Sequence, residues 1–304
     1  MAIRKSFRFA FLVADATRRT GEDWAVLAAQ AEVLGYDTFG VTDHVGTPHA
    51  PLQVLGWVAS CNSQLRLATL VIDNDFRHPV FLAQETATLD LLSNGRLELG
   101  MGAGWKFSDY ERSGIPFERG RVRLERLEEA VHLIKALWAE GPVSAVGHHY
   151  QVKELVGLPK PVQRPHPPIM IGGSRPRILS LAAREADIVS FVAEDGPRMW
   201  TFDGLAEKSS RVREEAGDRE IELHVESDLV AVTDDRAAAV SRLAQARDLD
   251  PVDLDRSAYV LAGSVQSIVD HLERLREVAG ISYVTIPSED AEAFAPVVSE
   301  LAGR

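Results

Sequence analysis

Leu89–Trp105 reads LDLLSNGRLELGMGAGW, and the fold turns on how this stretch is read. A helix should end at Ser93-Asn94-Gly95, with a short strand following from Arg96 to Leu99. The strand then runs into Gly100, Gly102 and Gly104, spaced by Met101 and Ala103. Glycines at alternate positions strip the side chains from one face of an extended segment, so another body can approach the backbone closely. That body is either a neighbouring element of the fold or a ligand. A dinucleotide fingerprint fits less well: it needs Gly-x-Gly-x-x-Gly opening a helix, and Lys106–Gly114 (KFSDYERSG) is a poor helix start. The expectation is therefore a flat ligand lying over the strand end.

Outward from this stretch the chain alternates between two patterns. Before it, Phe7–Val13 is an apolar run of buried-strand type, Asp23–Leu34 has apolar residues at helical spacing closed by Gly35, and Tyr36–Val41 is a strand ending in Thr42-Asp43-His44. Pro51–Cys61 reads as a helix, Leu65–Ile72 as a strand, and Pro79 starts the helix that leads into the opening stretch. After it, Val122–Trp138 is a long charged amphipathic helix. From Gly141 to Pro168 the rhythm breaks: Gly147-His148-His149-Tyr150 looks like a turn into a small strand, and Pro159, Pro161, Pro165, Pro167 and Pro168 punctuate a loop.

The rhythm resumes with a strand at Ile169–Ile171, a helix at Pro176–Ala183, a strand at Asp187–Val192, a helix at Met199–Glu215 and a strand within Ile221–Val232. Helices at Asp235–Arg247 and Val265–Ala279, a strand at Ser282–Ile286 and a helix at Ala291–Leu301 complete it. About eight strand–helix alternations mark parallel βα units. In a chain of 304 residues they favour an α/β fold, a closed (β/α)8 TIM barrel over an open sheet. The expected organisation is one barrel domain over 1–304, with an insertion in the second half at about 141–168.

A hydrophobic share of 45% supports a sizeable core, and a net charge of −12 argues against nucleic acid or an anionic membrane as main partner. Cys61 is the single cysteine, so no disulfide forms within the chain. The opening MAIRKSFRFAFLVADATRR has a short strand-like apolar run and no clear cleavage site, and no apolar run approaches the ~18 residues of a membrane span. A cytoplasmic location is expected.

In such a barrel the functional face lies at the C-terminal ends of the strands. Asp43-His44, Val71–Asp75, Gly100–Trp105 and Gly172-Gly173-Ser174 fall there. A strand passing through Gly-Gly-Ser into a helix offers free backbone N–H groups, a hydroxyl and the positive end of a helix dipole, which suits phosphate. Arg175 and Arg177 add charge. The same residues also suit an ordinary turn with Ser174 as the cap. His44 can supply or take a proton near neutral pH, or it can be a hydrogen-bonded structural residue with Asp43 tying down backbone beside it. His148 and His149 lack a carboxylate or cysteine partner at ligand spacing, so no metal site is expected. Trp105, Phe107 and Tyr110 read either as core and lid aromatics or as a substrate wall.

Several of these segments recur together in one family. AEVLGYDTFGVTDH at Ala31–His44, RHP at Arg77–Pro79, the opening stretch, RLERLEE at Arg123–Glu129, PPIMIGGS at Pro167–Ser174 and GISYVTI near the C-terminal end carry the likeness. The sequence resembles the bacterial luciferase-like monooxygenase family, in its branch of deazaflavin (coenzyme F-420) dependent oxidoreductases. The resemblance implies a (β/α)8 barrel with an insertion, a homodimer, and a flavin-like tricyclic ring in the barrel mouth. It places His44 near the ring as a catalytic residue, with Asp43 among the cofactor contacts. It brings the backbone at Leu70 and Val71, joined by a non-prolyl cis peptide, and Gly102, Ala103 and Gly104 to the ring, and the phosphate side to Gly172, Gly173 and Ser174.

There is also a departure. The sugar-phosphate dehydrogenase branch has an acidic residue after the last glycine of the block, where this chain has Trp105, and a tryptophan where it has Pro48. Glucose 6-phosphate oxidation is therefore not expected, and Trp105 is assigned to a substrate pocket suited to an apolar or conjugated molecule. The implied activity is hydride transfer between C5 of the deazaflavin and a small organic substrate, with His44 as proton partner. The alternatives are an FMN-dependent monooxygenase fed by a separate flavin reductase, and a non-catalytic flavin- or deazaflavin-binding paralogue.

Overall fold

A computed structural model describes residues 5–47, 49–62, 64–193, 200–227 and 229–304. Pro48, and Met199 at the start of one expected helix, lie outside the described residues. The barrel strands are β1 (Arg8–Val13), β2 (Thr38–Val41), β3 (Arg66–Thr69), β4 (Leu97–Gly102), β5 (Ile169–Gly173), β6 (Ile188–Phe191), β7 (Glu222–Glu226) and β8 (Tyr283–Pro287). They form one sheet in the order β3-β2-β1-β8-β7-β6-β5-β4, and β3 also pairs with β4, which closes the sheet. The pairings whose register is resolved are parallel, as with Arg8↔Tyr283 to Leu12↔Pro287 between β1 and β8. The fold is a (β/α)8 TIM barrel. Among the described residues no helix is long and apolar enough to cross a membrane.

Backbone contacts group the chain into two compact units, one made of the N-terminal strand with residues 30–38 and 172–304, the other of residues 14–29 and 39–171. In the first unit β1 is apolar on both faces, as a strand covered on both sides must be. Phe9 meets Phe294 edge-on at 6.0 Å, and Phe11 meets Tyr36 at 5.6 Å. Arg8 forks onto Glu222 with bonds of 3.0 and 2.7 Å and lies 3.6 Å over the Tyr283 ring. The stretch expected to hold one strand within Ile221–Val232 holds two. β7 is followed by Leu229–Val232, which pairs with Val260–Gly263 in a separate parallel ladder, while Asp228 between them is not described. Leu229, Val240, Ala244, Leu254 and Val260 give this addition a small core of its own, and its second strand is not among the elements expected from the sequence.

In the second unit the insertion is an antiparallel hairpin, Pro142–Val146 with Gln151–Val156. Glu129, from the helix Gly120–Trp138, accepts the backbone N–H groups of His148, His149 and Tyr150 and so anchors the hairpin turn. Buried Asp90, in the helix Pro79–Leu92, accepts the N–H groups of Val162 and Gln163 and anchors the return. In SNGR, Arg96 donates to the carbonyls of Ser93, Leu65 and Ala59. The motif is a brace between two βα units rather than a ligand contact. Charge-assisted bonds of this kind contribute about 2 kcal/mol net, so Arg96→Ala should lower unfolding free energy by roughly that amount in chemical denaturation.

Candidate active site

β3 and β4 set the geometry. Leu67 pairs with Leu97 and Ala68 with Glu98, but after the break Ile72 pairs with Met101 and Asp73 with Gly102, so the offset has dropped by one residue. The extra residue bulges out at Thr69–Val71, and the Leu70–Val71 peptide there is cis, as the resemblance implied. A Cβ on Gly100 would run into the Thr69 carbonyl oxygen and lie 2.9 Å from Val71 Cγ1, and one on Gly102 would lie 3.0 Å from Val71 Cγ2. The body that approaches Gly100 and Gly102 is thus the Val71 side chain. Gly104 has φ +73° and its Cβ would meet the Tyr110 hydroxyl and the Asp73 carboxylate. The carbonyl of Ala103 accepts Arg123 Nε at 3.1 Å.

At the end of β2, Asp43 is buried. It accepts Arg77 at both oxygens, 2.5 and 3.0 Å, and the Asp73 N–H at 3.1 Å. With both oxygens engaged it ties β2 to the continuation of β3. His44 follows it with a quarter of its side chain exposed (24%). Its Nδ1 lies 2.7 Å from Asp109 Oδ2, and its ring stands edge-on to Trp105 at 6.0 Å and 82°. Thr47 Oγ1 donates to the His44 carbonyl and fixes the backbone at that point.

Asp109 was not singled out from the sequence. It sits in a helix, Phe107–Ser113, where a poor helix start was read. No side chain caps its N-terminus, which is why local signals miss it; buried Asp109 and Tyr110 hold it inward and Gly114 closes it. Tyr110 Oη is 3.1 Å from both Asp73 Oδ1 and Asp75 Oδ2, and Asp75 pairs with Arg126 at 2.8 Å. Burial pushes the Asp73 carboxyl up to about 6, with the neighbouring Asp75 and Asp43 charges adding to it. The bonds it accepts from the Asp75 N–H and the Tyr110 hydroxyl oppose that rise. Arg77, Tyr110, Asp73 and Asp75 were all present in quoted segments, but only Tyr110 was considered for a role, as a core or lid aromatic.

Trp105 and Phe107 are exposed (63% and 58%), and Phe107 stacks edge-on with Phe117 at 5.5 Å. In the first unit, Gly172 and Gly173 belong to β5 and Ser174 is buried. The N-cap of the helix Pro176–Glu185 is Arg175, with no side-chain cap bond, so Ser174 is not the cap. The first N–H groups of that helix have no capping side chain, which is the donor set an anion needs. Gly173 also has a packing role, since its Cβ would meet Ile178. Among the described residues no group of three or more His, Cys, Asp or Glu is placed to hold a metal ion.

A family model described as luciferase-like monooxygenase matches residues 9–297. The chain is 36% identical over 171 residues to the F420-dependent glucose-6-phosphate dehydrogenase of Kineococcus radiotolerans, a match covering 54% of this chain and half (50%) of that protein. To the enzyme of the same name from Microbacterium testaceum it is 28% identical over 311 residues, covering 91% and 90% of the two chains. The structure of coenzyme F420 dependent tetrahydromethanopterin reductase from Methanopyrus kandleri superposes with a TM-score of 0.81 at 20% identity, over 98% of this chain and 99% of that one. At that identity the likeness concerns the fold.

Gly104→Ala tests the packing at the strand end. It adds a Cβ in a left-handed conformation and drives it into Tyr110, so a loss of about 3 kcal/mol is expected. Thermal and denaturant unfolding would read it, and an unchanged midpoint would show that Tyr110 and Asp73 can move away.

Proposed function

The chain belongs to the luciferase-like monooxygenase family, and from that premise we propose that it is a deazaflavin (coenzyme F-420) dependent oxidoreductase acting on a small organic substrate. Bound coenzyme supplies a two-electron hydride carrier at C5. The relatives named F420-dependent support that coenzyme. One observation supports the chemistry above the rest: His44, at the end of β2, is partly open and oriented by a buried carboxylate. In this reading Nε2 of His44 exchanges a proton with the substrate, while exposed Trp105 forms an apolar wall of the substrate pocket. The backbone at Leu70, Val71, Gly102, Ala103 and Gly104 would hold the ring. Gly172, Gly173, Ser174 and the uncapped helix start behind them would hold phosphate.

The whole chain acts in this reading as one barrel domain with its insertion at about 141–168. We take it to work as a homodimer, which exposed Phe81, Leu91 and Leu92 on the helix Pro79–Leu92 support, and in the cytoplasm, where a chain with one free cysteine needs no disulfide.

Titration with coenzyme F-420 and with FMN tests the assignment. Tight binding of the deazaflavin, seen by its own absorbance, with weak binding of FMN is the expected result. The reverse preference would favour an FMN-dependent monooxygenase fed by a separate reductase, and binding of either without turnover on any substrate panel would favour a non-catalytic paralogue. Because a side chain at Gly173 meets Ile178, exposed Arg175 is the cleaner probe of the phosphate site. Arg175→Glu should weaken coenzyme affinity by tenfold or more, about 1.4 kcal/mol. Unchanged affinity would place the phosphate elsewhere.

His44→Ala should lower kcat ~100-fold or more with little change in coenzyme affinity. It would be read on any secondary alcohol or conjugated carbonyl that turns over with the coenzyme. A kcat within about threefold of the parent, well under the usual general acid–base contribution, would make His44 structural.

A further inference from the structure

The carboxylate beside His44 is more than a neighbour of the ring. We propose that Asp109 is the positioning residue of His44: it holds the proton on Nδ1, so that Nε2 carries the lone pair and is the nitrogen that exchanges a proton with the substrate. This rests on the reading of His44 as proton partner.

The geometry is short and specific. Nδ1 lies 2.7 Å from Asp109 Oδ2, with the carboxylate side chain 2% exposed and the imidazole 24% exposed. An ionised carboxylate only accepts hydrogen bonds. The shared hydrogen must therefore sit on Nδ1, and a neutral imidazole with Nδ1–H has its lone pair on Nε2. The pair is also held from both sides. The His44 backbone is fixed by Thr47 and by the Asp43 ion pair just before it, and the Trp105 ring lies T-shaped to the imidazole at 6.0 Å. Asp109 is carried by a helix whose next residue, Tyr110, is locked between Asp73 and Asp75.

The carboxylate needs this bond as much as the imidazole does. Its other oxygen, Oδ1, is buried and accepts no hydrogen bond, and Lys106 Nζ stands off at 3.9 Å. A buried charge without a close partner is costly, so the Nδ1–H bond is the main contact that stabilises it. When Nε2 takes a substrate hydroxyl proton, the O–H bond breaks and an N–H bond forms. A bound deazaflavin would supply the acceptor for the carbon's hydride and its two electrons, leaving the oxygen as a carbonyl. The imidazolium that results faces the Asp109 carboxylate. In the opposite direction the same Nε2–H returns the proton.

The test is the tautomer of His44 in the ligand-free protein, read by two-bond 15N–1H correlation spectra and assigned among the nine histidines by the signal lost in His44→Gln. The parent should show Nδ1–H with an unprotonated Nε2. In Asp109→Asn the carboxamide can donate to Nδ1, so the tautomer should switch to Nε2–H. With the lone pair turned away, kcat should fall ~100-fold or more while coenzyme affinity and KM stay near the parent values. Asp109→Glu keeps a carboxylate and should restore the parent tautomer and part of kcat. An Nε2–H tautomer at His44 in the parent would overturn the proposal, as would an unswitched tautomer in Asp109→Asn. A switched tautomer with full turnover in both Asp109→Asn and His44→Ala would instead overturn the proton role of His44, and with it any part for Asp109 in turnover.

Discussion

A Cβ atom on Gly100 would fall against the Thr69 carbonyl oxygen, and this contact governs the strand ends of the second unit. Because residues 100 and 102 have no side chain, β3 can carry an extra residue and lay Val71 across β4. The bulge moves the register by one, which puts Asp73 beside Gly102. From there Asp73 reaches Tyr110, and its N–H reaches Asp43. The glycines thus act through the fold. They let three strand ends be tied together, and the residue after Asp43 is His44.

The ionic ties are asymmetric, and that asymmetry has a use. Asp43 has a forked arginine and Asp75 has Arg126, so two of the three carboxylates are compensated by cations. Asp73 has no such partner; it relies on Tyr110 and a backbone N–H, and burial raises it to about 6. One tyrosine proton lies between Asp73 and Asp75. Protonation of Asp73 removes the repulsion between two buried carboxylates and supplies a second hydrogen to share. The helix that carries Tyr110 also carries Asp109, so the charge state of this cluster bears on the element that orients His44.

Much of the architecture was legible because the barrel is built from repeated local signals. Pro51–Cys61 and Val265–Ala279 match the observed helices at both ends, since a proline start, Ser264 and Gly280 punctuate them locally, and Ala291–Leu301 matches without such signals. The errors lie where tertiary contacts override local preference. Phe107–Ser113 is helical because Asp109 and Tyr110 are pulled inward, and nothing at Lys106 announces it. Val260–Gly263 is a strand because it has Leu229–Val232 to pair with. His44 could be singled out from residue type and position. Asp109 could not, because its relation to His44 spans 65 positions and exists only once the helix is in place.

The committed side chains show where chemistry can vary. Gly100, Gly102 and Gly104 are used up by Val71, Tyr110 and Asp73, Arg96 by three carbonyls, and Glu129 by the hairpin turn. A substitution at any of these disturbs the scaffold before it alters a reaction. Trp105 and Phe107 are different: they are large, apolar and exposed, and the Trp105 ring lies T-shaped to that of His44. They follow the last glycine of the block, on a segment whose course is set by the buried Asp109 and Tyr110 further along. Their identity can therefore change without cost to the barrel. In the proposed reading, Trp105 would bear on substrate choice, and proton handling would fall to His44 with the carboxylate beside its ring.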